Sequence, residues 1–332
     1  MVRRSDTIAF IMSLDIKNIC DSMTAPHLLD VSHRALLRMQ GLESLDLLHR
    51  ISTNDLADLL VGGVRHSILT NEKGRVIDKI AALRVAEDQL LVSCSSSDYA
   101  RIQNWMEKFI IMEEIRVENA SSDFMHLLFF DSGNQGIIGS RSDPLGSSDD
   151  KELIHLESDS IPDAITWRER IGQTSVIHLL TKGVTPGIVL QELAAAGIFG
   201  AQTQDFENFR IRHGIPAHPN ELSDKYNPLE LGMMDYISFT KGCYIGQEVI
   251  ARLDSYLKVQ KRLVRLGMSR QPSALPASVK HEGNHVGMLT SVAETEDGIT
   301  GLGILRTQSL DQHVSLYFEL EDGPVEVNVI KS

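Results

Sequence analysis

The C-terminal part of the chain limits the possible folds more than any other feature. From Leu263 to Ile330, apolar and polar residues alternate between turns that contain glycine. Alternation with a period of two is typical of strands that bury one face, and short strands joined by tight turns form small antiparallel barrels or sandwiches. We therefore predict a C-terminal antiparallel β-barrel domain and assign it to residues 259–332.

The preceding residues, 1–258, mix strand and helix patterns. Strands are predicted over 67–70, 75–85, 89–93 and 124–130, and helices over 97–111, 186–196 and 202–212. Asn71–Gly74 is expected to be a hairpin turn, with glycine at the position that tolerates positive φ. Residues 131–150 are rich in Gly, Ser and Asp and predict a long loop or a boundary between two subdomains. Because strands and helices do not alternate strictly, the fold class is predicted as α+β.

Charge and cysteine content restrict the classes of function. The chain has 32 basic and 45 acidic residues, a net charge of −13, which argues against direct binding of nucleic acid. Its three cysteines show no C-x-x-C spacing, so we predict neither a disulfide framework nor a metal site held by this chain alone. The basic start lacks a sufficient apolar run for a signal peptide, and no run approaches the ~20 residues of a membrane helix. These patterns predict a cytoplasmic protein that does not bind membranes.

The stretch Lys241–Glu248 is the candidate centre of the chemistry. Residues 237–240 are predicted to form a short strand, Lys241–Gly242 a turn, and residues 245–255 a helix. Cys243 would then lie at or just before a helix N-terminus, where unpaired N–H groups and the helix dipole favour a thiolate. Such a thiol can serve as a nucleophile, a metal ligand or a redox centre.

A structural interpretation of the same stretch is also compatible with the residues. A single cysteine is more often a small buried apolar side chain than a reactive thiol. Lys-Gly is a common turn, and Gln247 and Glu248 near a helix start are ordinary capping residues. Without further information, the residue types favour this structural reading.

A family resemblance favours the functional reading. Residues 241–248 match the signature K-G-C-[FY]-x-G-Q-E of the YgfZ proteins at every defined position. Further segments resemble the related glycine-cleavage T-proteins and occur in the same order along the chain: Asp30–Arg34, Ser52–Asp55, Thr70–Asp78, Arg210–Pro216 and Gly283–Ser291. The chain is thus identified as a YgfZ-type member of the T-protein family.

The resemblance implies a fold of three subdomains around a central cavity that receives tetrahydrofolate. T-proteins are aminomethyltransferases, whereas YgfZ-like members bind folate and support the assembly or repair of iron–sulfur clusters. The T-protein segment Y-T-G-E-D-G is not found, since Trp167–Gln173 occupies its expected region without that pattern. The paired Asp at the end of the T-protein hairpin reads Asp78–Lys79 here. Both departures favour the YgfZ branch.

The resemblance also implies the site residues. Cys243 is expected to be the essential thiol, and Asp78 is expected to steer proton transfer near the folate nitrogens. The residues expected to contact tetrahydrofolate are Asp78, Lys241, Gly242, Tyr244, Gly246, Gln247, Glu248, Arg34, Arg252 and Arg262. The arginines are included because their fork matches the carboxylates of the folate tail.

Two functions remain open from the sequence. The first is a tetrahydrofolate-binding accessory protein whose partners are iron–sulfur proteins or cluster assembly factors. The second is an aminomethyltransferase that transfers a one-carbon unit to tetrahydrofolate. A link to tRNA modification would be indirect, through iron–sulfur enzymes, and the protein is expected to be a monomer.

Overall fold

The computed structural model describes residues 26–131, 153–156, 163–172, 174–183, 186–195, 198–255, 259–295, 298–311 and 314–330. Within these ranges lie three β-sheets, six α-helices and two short 3-10 helices, Ser121–Asp123 and Met234–Tyr236. The fold class is α+β, as predicted. The predicted loop or boundary at 131–150 lies outside the described residues except for Asp131.

The first sheet has five antiparallel strands. Their order is β3 (Val64–Thr70), β4 (Val76–Ala86), β5 (Gln89–Cys94), β2 (Leu36–Gln40) and β6 (Arg116–Asn119). Helices α1 (Ser44–Ile51) and α2 (Tyr99–Glu107) bury their apolar residues against one face. Helix α2 begins where the sequence predicted, because the Asp98 carboxylate accepts a hydrogen bond from the amide of Arg101 at 3.1 Å. It ends four residues earlier than predicted.

The second sheet has six strands and packs on the other face of the first. Their order is β11 (Phe199–Gly200), β1 (Pro26–Asp30), β7 (Phe124–Asp131), β10 (Thr174–Lys182), β9 (Ala164–Ile171) and β8 (Ile154–Leu156). Only β1 and β11 pair in parallel. Trp167 and Leu180 join Leu36 and Leu83 in the core between the two sheets. Helix α3 (Pro186–Ala195) precedes β11, and α4 (Thr203–Arg212) covers the outer face through Phe206 and Phe209.

The C-terminal part forms a closed antiparallel barrel, which confirms the prediction. The strands follow the order β12 (Lys261–Met268), β15 (Gly298–Arg306), β14 (Asn284–Thr295), β13 (Ala277–His281), β16 (Leu316–Leu320) and β17 (Gly323–Ile330). Alternate residues such as Leu266, Leu289 and Phe318 fill its interior. The short helix α6 (Gln308–Asp311) interrupts the strand pattern.

A buried arginine joins the barrel to helix α4. The side chain of Arg210 is 1% exposed and donates to Glu207, to Glu221 at 3.2 Å and to Ser291 of β14 at 2.9 Å. The Glu221 carboxylate also accepts hydrogen bonds from Thr290 and Ser291. Because every charge in this cluster has a partner, the cluster holds the barrel in a defined position relative to the second sheet.

Before the last long helix, the predicted strand is wrong, and the predicted helix is confirmed with a start two residues later. Residues 237–240 form no strand, and helix α5 begins at Gln247 instead of Ile245 and ends at Ser255. Ile237 and Tyr244 both turn inward to pack with Leu229 and Ile250, so the backbone follows this apolar cluster and not a strand path. The segment makes one backbone hydrogen bond toward the first sheet, from Ser238 to Thr53, which is too few for a strand.

Among the described residues, no helix has the length and apolar character needed to cross a bilayer.

Candidate functional site

A cavity lies where the two sheets, the barrel and the segment 213–236 meet. It consists of two chambers that share Lys79, Ile171, Ile215 and Pro216 as walls. The larger chamber has a volume of about 530 Å³, and the smaller one about 200 Å³. Strand β4 delivers Lys79 to the boundary between them. The central cavity expected for this fold is therefore divided by a few side chains.

The larger chamber has mainly apolar walls with polar groups at separate points. Its apolar residues are Ile171, Leu231, Met233, Leu263, Val264, Val329 and Ile330. Its polar groups are Lys79, Thr174, His213, Asp235, Tyr236 and Arg265. A pocket of this size that combines apolar walls with polar groups is the usual form of a site for a cofactor or small molecule.

A buried carboxylate occupies the boundary between the chambers. Glu169, on β9, is 4% exposed and accepts hydrogen bonds from the Tyr236 hydroxyl at 2.6 Å and from the Lys79 ammonium. Its other oxygen lies 3.3 Å from Nε2 of His178. Burial on its own would raise the pKa of Glu169, but Lys79, His178 and His66 together lower it well below its usual range. Glu169 is therefore a fixed anion at neutral pH.

Two histidines extend this network into the second sheet. Nδ1 of His178 lies 3.0 Å from Nε2 of His126, and the ring of Trp167 stacks on His178 at a centroid distance of 4.6 Å. Burial lowers the pKa of His178, while Glu169 raises it; burial and then His178 lower that of His126. With both rings neutral, His126 donates to His178 and His178 donates to Glu169, which determines both tautomers.

Asp78 lies outside both chamber walls, directly behind Ser95 of the smaller chamber. It is fully buried and accepts hydrogen bonds from the Ser95 hydroxyl, the Lys79 amide at 2.8 Å and the Ser96 amide at 3.1 Å. Burial raises its pKa, whereas the hydrogen bonds from Ser95 and Ser96 lower it. Its neighbour in sequence, Lys79, faces the chambers instead. The structure thus gives Asp78 a position that ties β4 to the segment after β5.

Lys241 anchors its loop to helix α1, which covers the first sheet. Its ammonium group donates to three backbone carbonyls, those of His49 at 2.5 Å, Ser52 at 2.9 Å and Asn54 at 2.8 Å. These carbonyls end helix α1 and the turn after it, so the cation satisfies acceptors that the helix leaves unpaired. Burial lowers the pKa of Lys241 to about 8. Lys241 lies outside both chamber walls.

Gly246 brings the signature stretch against the 71–74 hairpin. Its φ is +83°, and a Cβ at this position would lie 2.6 Å from the Asn71 carbonyl oxygen and 2.8 Å from Gly74 Cα. Gly74 itself has φ +65°. The Thr70 hydroxyl donates to the Ile245 carbonyl beside this contact. Only glycine allows the two backbones to approach so closely.

The remaining signature residues divide between packing and the surface. Tyr244 is 8% exposed and packs on Ile237 and Ile250, while the Gln247 amide reaches the Lys241 carbonyl at 3.5 Å. Cys243 and Gly242 are exposed in the loop before α5. The thiol lies four residues before the first residue of the helix, so the predicted helix N-terminus does not adjoin it.

The other charged residues that were predicted to contact folate lie in three different places. Glu248 and Arg252 form an exposed ion pair with each other on α5, at 2.5 Å. Arg262 is exposed on β12, beside Asp254 and outside both chambers. Arg34 lines the smaller chamber. Of the ten residues expected to contact folate, Arg34 is the one on a chamber wall.

Sequence reasoning missed the residues that the structure concentrates at the chamber boundary, namely Lys79, Glu169, His178 and Tyr236. One signal was available, since charged residues within the apolar strand patterns of β9 and β10 indicate polar groups buried in a site. Their convergence depends on contacts between β4, β9, β10 and the second 3-10 helix, which no local pattern encodes.

Comparison with known proteins agrees with this architecture. The structure of glycine cleavage system aminomethyltransferase T from Bartonella henselae superposes with a TM-score of 0.73 and 18% identity, covering 95% of this chain and 88% of that protein. Residues 17–129 match the family model of the GCVT N-terminal domain. The chain therefore has the T-protein fold, and its N-terminal part is similar to the GCVT N-terminal domain.

Sequence relatives carry transferase names. A chloroplastic protein of Arabidopsis thaliana, provisionally named a transferase, is 28% identical over 291 residues, covering 84% of this chain and 65% of the relative. An aminomethyltransferase of Thermoanaerobacter sp. (strain X514) is 25% identical over 240 residues, covering 69% of this chain and 63% of the relative. The matches span slightly less than two thirds of these two relatives.

Proposed function

We propose that this protein binds a reduced folate, tetrahydrofolate or a derivative of it, in the larger chamber. The observation that carries the proposal is the position of this chamber, at the junction of the three sheets of a T-protein fold. Its volume of about 530 Å³ lies in the range of small-molecule sites. The apolar walls suit a flat heterocycle, and Lys79, Asp235 and Tyr236 provide charged and hydrogen-bonding groups to orient it.

We further propose that the protein acts as an accessory factor for iron–sulfur proteins or their assembly, with Cys243 as the thiol that serves them. Two features support this role. Cys243 is exposed, and Lys241 and Gly246 anchor its loop on either side, so the thiol is presented in a defined place. Cys243 also lies outside both chamber walls, which favours contact with a protein partner over reaction with the bound folate.

Folate binding is tested by calorimetric titration with tetrahydrofolate. Wild-type protein is expected to bind, and Asp235→Ala is expected to weaken binding by about tenfold or more, because one hydrogen bond to a charged group contributes about 1.5–3 kcal/mol. Asp224→Ala is the matched control, since Asp224 is exposed in the same segment and lies outside both chambers. Failure of the wild type to bind any reduced folate would refute the proposal.

The role of Cys243 is tested in cells that lack the native protein. Cys243→Ala is expected to abolish the support of iron–sulfur enzyme activity while folate binding in vitro stays at the wild-type level, because the thiol is distant from the chamber walls. Thr240→Ala is the control for the same exposed loop. Full support of iron–sulfur enzymes by Cys243→Ala would rule out the thiol's role.

A second candidate function is aminomethyl transfer to tetrahydrofolate. It is favoured by the likeness to aminomethyltransferases in sequence and to aminomethyltransferase T in fold. The position of Asp78, buried behind Ser95 and outside both chamber walls, does not favour this carboxylate as the group that transfers a proton directly to a bound folate. Formation of methylenetetrahydrofolate from an aminomethyl-loaded carrier protein would establish this activity.

A further inference from the structure

The loops at one end of the first sheet carry a group of exposed apolar side chains outside both chambers. Among the described residues, the three most exposed large apolar side chains are those of Met112, Ile111 and Leu42, at 90%, 84% and 79%. A single exposed apolar residue is ordinary on a protein surface, whereas a group of large ones marks an interaction site. We call these three residues the apolar patch.

The two loops that carry the apolar patch are in direct contact. Gly41 precedes Leu42, and a Cβ on Gly41 would lie 2.3 Å from the carbonyl oxygen of Glu114. The Glu114 amide donates a hydrogen bond to the Glu43 carboxylate at 3.3 Å. The turn after β2 and the loop 110–115 before β6 therefore form one surface.

One carboxylate fixes the loop that presents the patch. Glu113 accepts hydrogen bonds from the amides of Ile111 at 2.9 Å and Met112 at 3.1 Å, and from the Arg50 guanidinium of helix α1 at 2.6 Å. Hydrogen bonds from backbone amides, that of Ile111 foremost, and from Arg50 lower the pKa of Glu113 to about 2. The flanking residues that pack against the core of the first sheet are Phe109, Ile110 and Ile115. A loop fixed in this way loses little freedom when a partner binds it.

Carboxylates outnumber cations around the patch. The carboxylates of residues 41–50, 88 and 107–118 are Glu43, Asp46, Asp88, Glu107, Glu113, Glu114 and Glu118. The cations of the same residues are Arg50, Lys108 and Arg116. The next cations along the sheet, Arg38 and Arg84, are paired with Asp123 and Glu87, so they do not change the balance. His49 adds no charge at neutral pH, because burial and then Lys241 lower its pKa.

Several of these carboxylates are not neutralised by a neighbour. Arg50 pairs with both Asp46 and Glu113, and Arg116 pairs with Glu118. Within the part of the chain that the structure describes, the carboxylates of this surface that form no ion pair are Glu43, Asp88, Glu107 and Glu114. The apolar patch is therefore bordered by negative charge, on a protein whose net charge is −13.

We propose that the apolar patch is a docking surface for a basic amphipathic segment of a partner protein. Large apolar side chains of that segment pack on the patch, and its Lys or Arg side chains meet Glu43, Glu107 and Glu114. Charge complementarity of this kind selects the partner and speeds the encounter. A second copy of this chain would bring the same carboxylates against one another, and an anionic membrane would be repelled. The surface does not require the folate proposal or the Cys243 proposal to be correct.

The test is a titration of the full chain against a fluorescein-labelled peptide, followed by fluorescence anisotropy. The probe is a peptide of about 14 leucine and lysine residues in which the leucines occupy one face of a helix. The matched probe carries glutamate in place of each lysine. Wild type is expected to bind the lysine peptide at least about tenfold more tightly than the glutamate peptide.

The apolar contacts are tested with the double variant Ile111→Ser, Met112→Ser. It is expected to bind the lysine peptide at least about tenfold more weakly than wild type, because two large apolar contacts are lost. Its urea midpoint is expected to stay at the wild-type value, since both side chains are exposed. Leu60→Ser, Val61→Ser is the matched control and is expected to bind within about twofold of wild type. These two exposed residues precede β3, at the opposite edge of the first sheet from β6.

The charged border is tested with Glu43→Gln, Glu114→Gln. This variant is expected to bind the lysine peptide several-fold more weakly and with a smaller dependence on salt concentration. Glu321→Gln, Glu326→Gln, which removes two exposed carboxylates of the barrel, is its control and is expected to bind as wild type does.

Three results would overturn the proposal: no binding of the lysine peptide by wild type, equal binding of both peptides, or unchanged affinity in Ile111→Ser, Met112→Ser. Two further results would assign the patch to another occupant and overturn it as well. One is a dimer in sedimentation velocity that the Ile111→Ser, Met112→Ser variant does not form. The other is binding to vesicles of phosphatidylcholine and phosphatidylglycerol that the same variant loses.

Discussion

Replacement of Glu169 with alanine is expected to lower the free energy of unfolding by about 3–5 kcal/mol, the usual cost of removing one partner from a buried ion pair. The Lys79 ammonium would remain buried without a counter-ion, because its side chain is 15% exposed. The Tyr236 hydroxyl and His178 would each lose an acceptor as well. Urea unfolding followed by circular dichroism measures the change.

A second substitution identifies the cause of this loss. The double variant Glu169→Ala, Lys79→Met is expected to be more stable than Glu169→Ala alone, since it no longer buries an unpaired charge. Glu87→Ala is the matched control, because the exposed pair of Glu87 with Arg84 is expected to contribute about 0–1 kcal/mol. A loss for Glu169→Ala no larger than that for Glu87→Ala would contradict the importance of the network.

Replacement of Lys241 with methionine is expected to cost about 2–4 kcal/mol. Methionine fills a similar volume but donates no hydrogen bond, so the carbonyls of His49, Ser52 and Asn54 would lose a charged donor together. Helix α1 would lose the cation at its C-terminal end, and the Cys243 loop would lose its anchor. The expected signs are a lower urea midpoint and faster proteolytic cleavage within residues 239–246.

Lys73→Met provides the comparison for this substitution. Lys73 is exposed at the tip of the 71–74 hairpin, so the same change of side chain is expected to shift stability by less than about 0.5 kcal/mol. If Lys241→Met and Lys73→Met unfold at the same urea concentration, Lys241 does not anchor the loop. Tetrahydrofolate affinity of folded Lys241→Met is expected to match the wild type, because Lys241 lies outside both chambers.

The features that were predicted correctly depend on residues that are close to one another in the sequence. The turn at Asn71–Gly74 follows from glycine with φ +65° and from the Asn71 side chain, which accepts from the Lys73 and Arg75 amides at 3.0 Å. The start of α2 follows from the Asp98 cap. The barrel follows from period-two alternation, which is a local property of each strand.

In the signature stretch, residues 241–248, predictions from local sequence differ from the tertiary structure. The sequence identified residues 241–248 as exceptional, but its helix-dipole argument for Cys243 depended on a helix that starts two residues later than predicted. The burial of Ile237 and Tyr244 on Leu229 and Ile250 decided the backbone path. Lys241 and Gly246, predicted to contact folate, pack against α1 and the 71–74 hairpin. The structure leaves Cys243 exposed between them.

By itself, the sequence determined the barrel, the hairpin, the capped start of α2 and the likeness to folate-binding proteins, because each is encoded by residues close together in the chain. Only the tertiary structure decided which charges meet. Lys79, Glu169 and Tyr236 come from separate elements, and their ion pair and hydrogen bond exist because the two sheets stack and the 234–236 turn closes over them. Burial then makes these pairings strong, which no one-dimensional pattern of charges reveals.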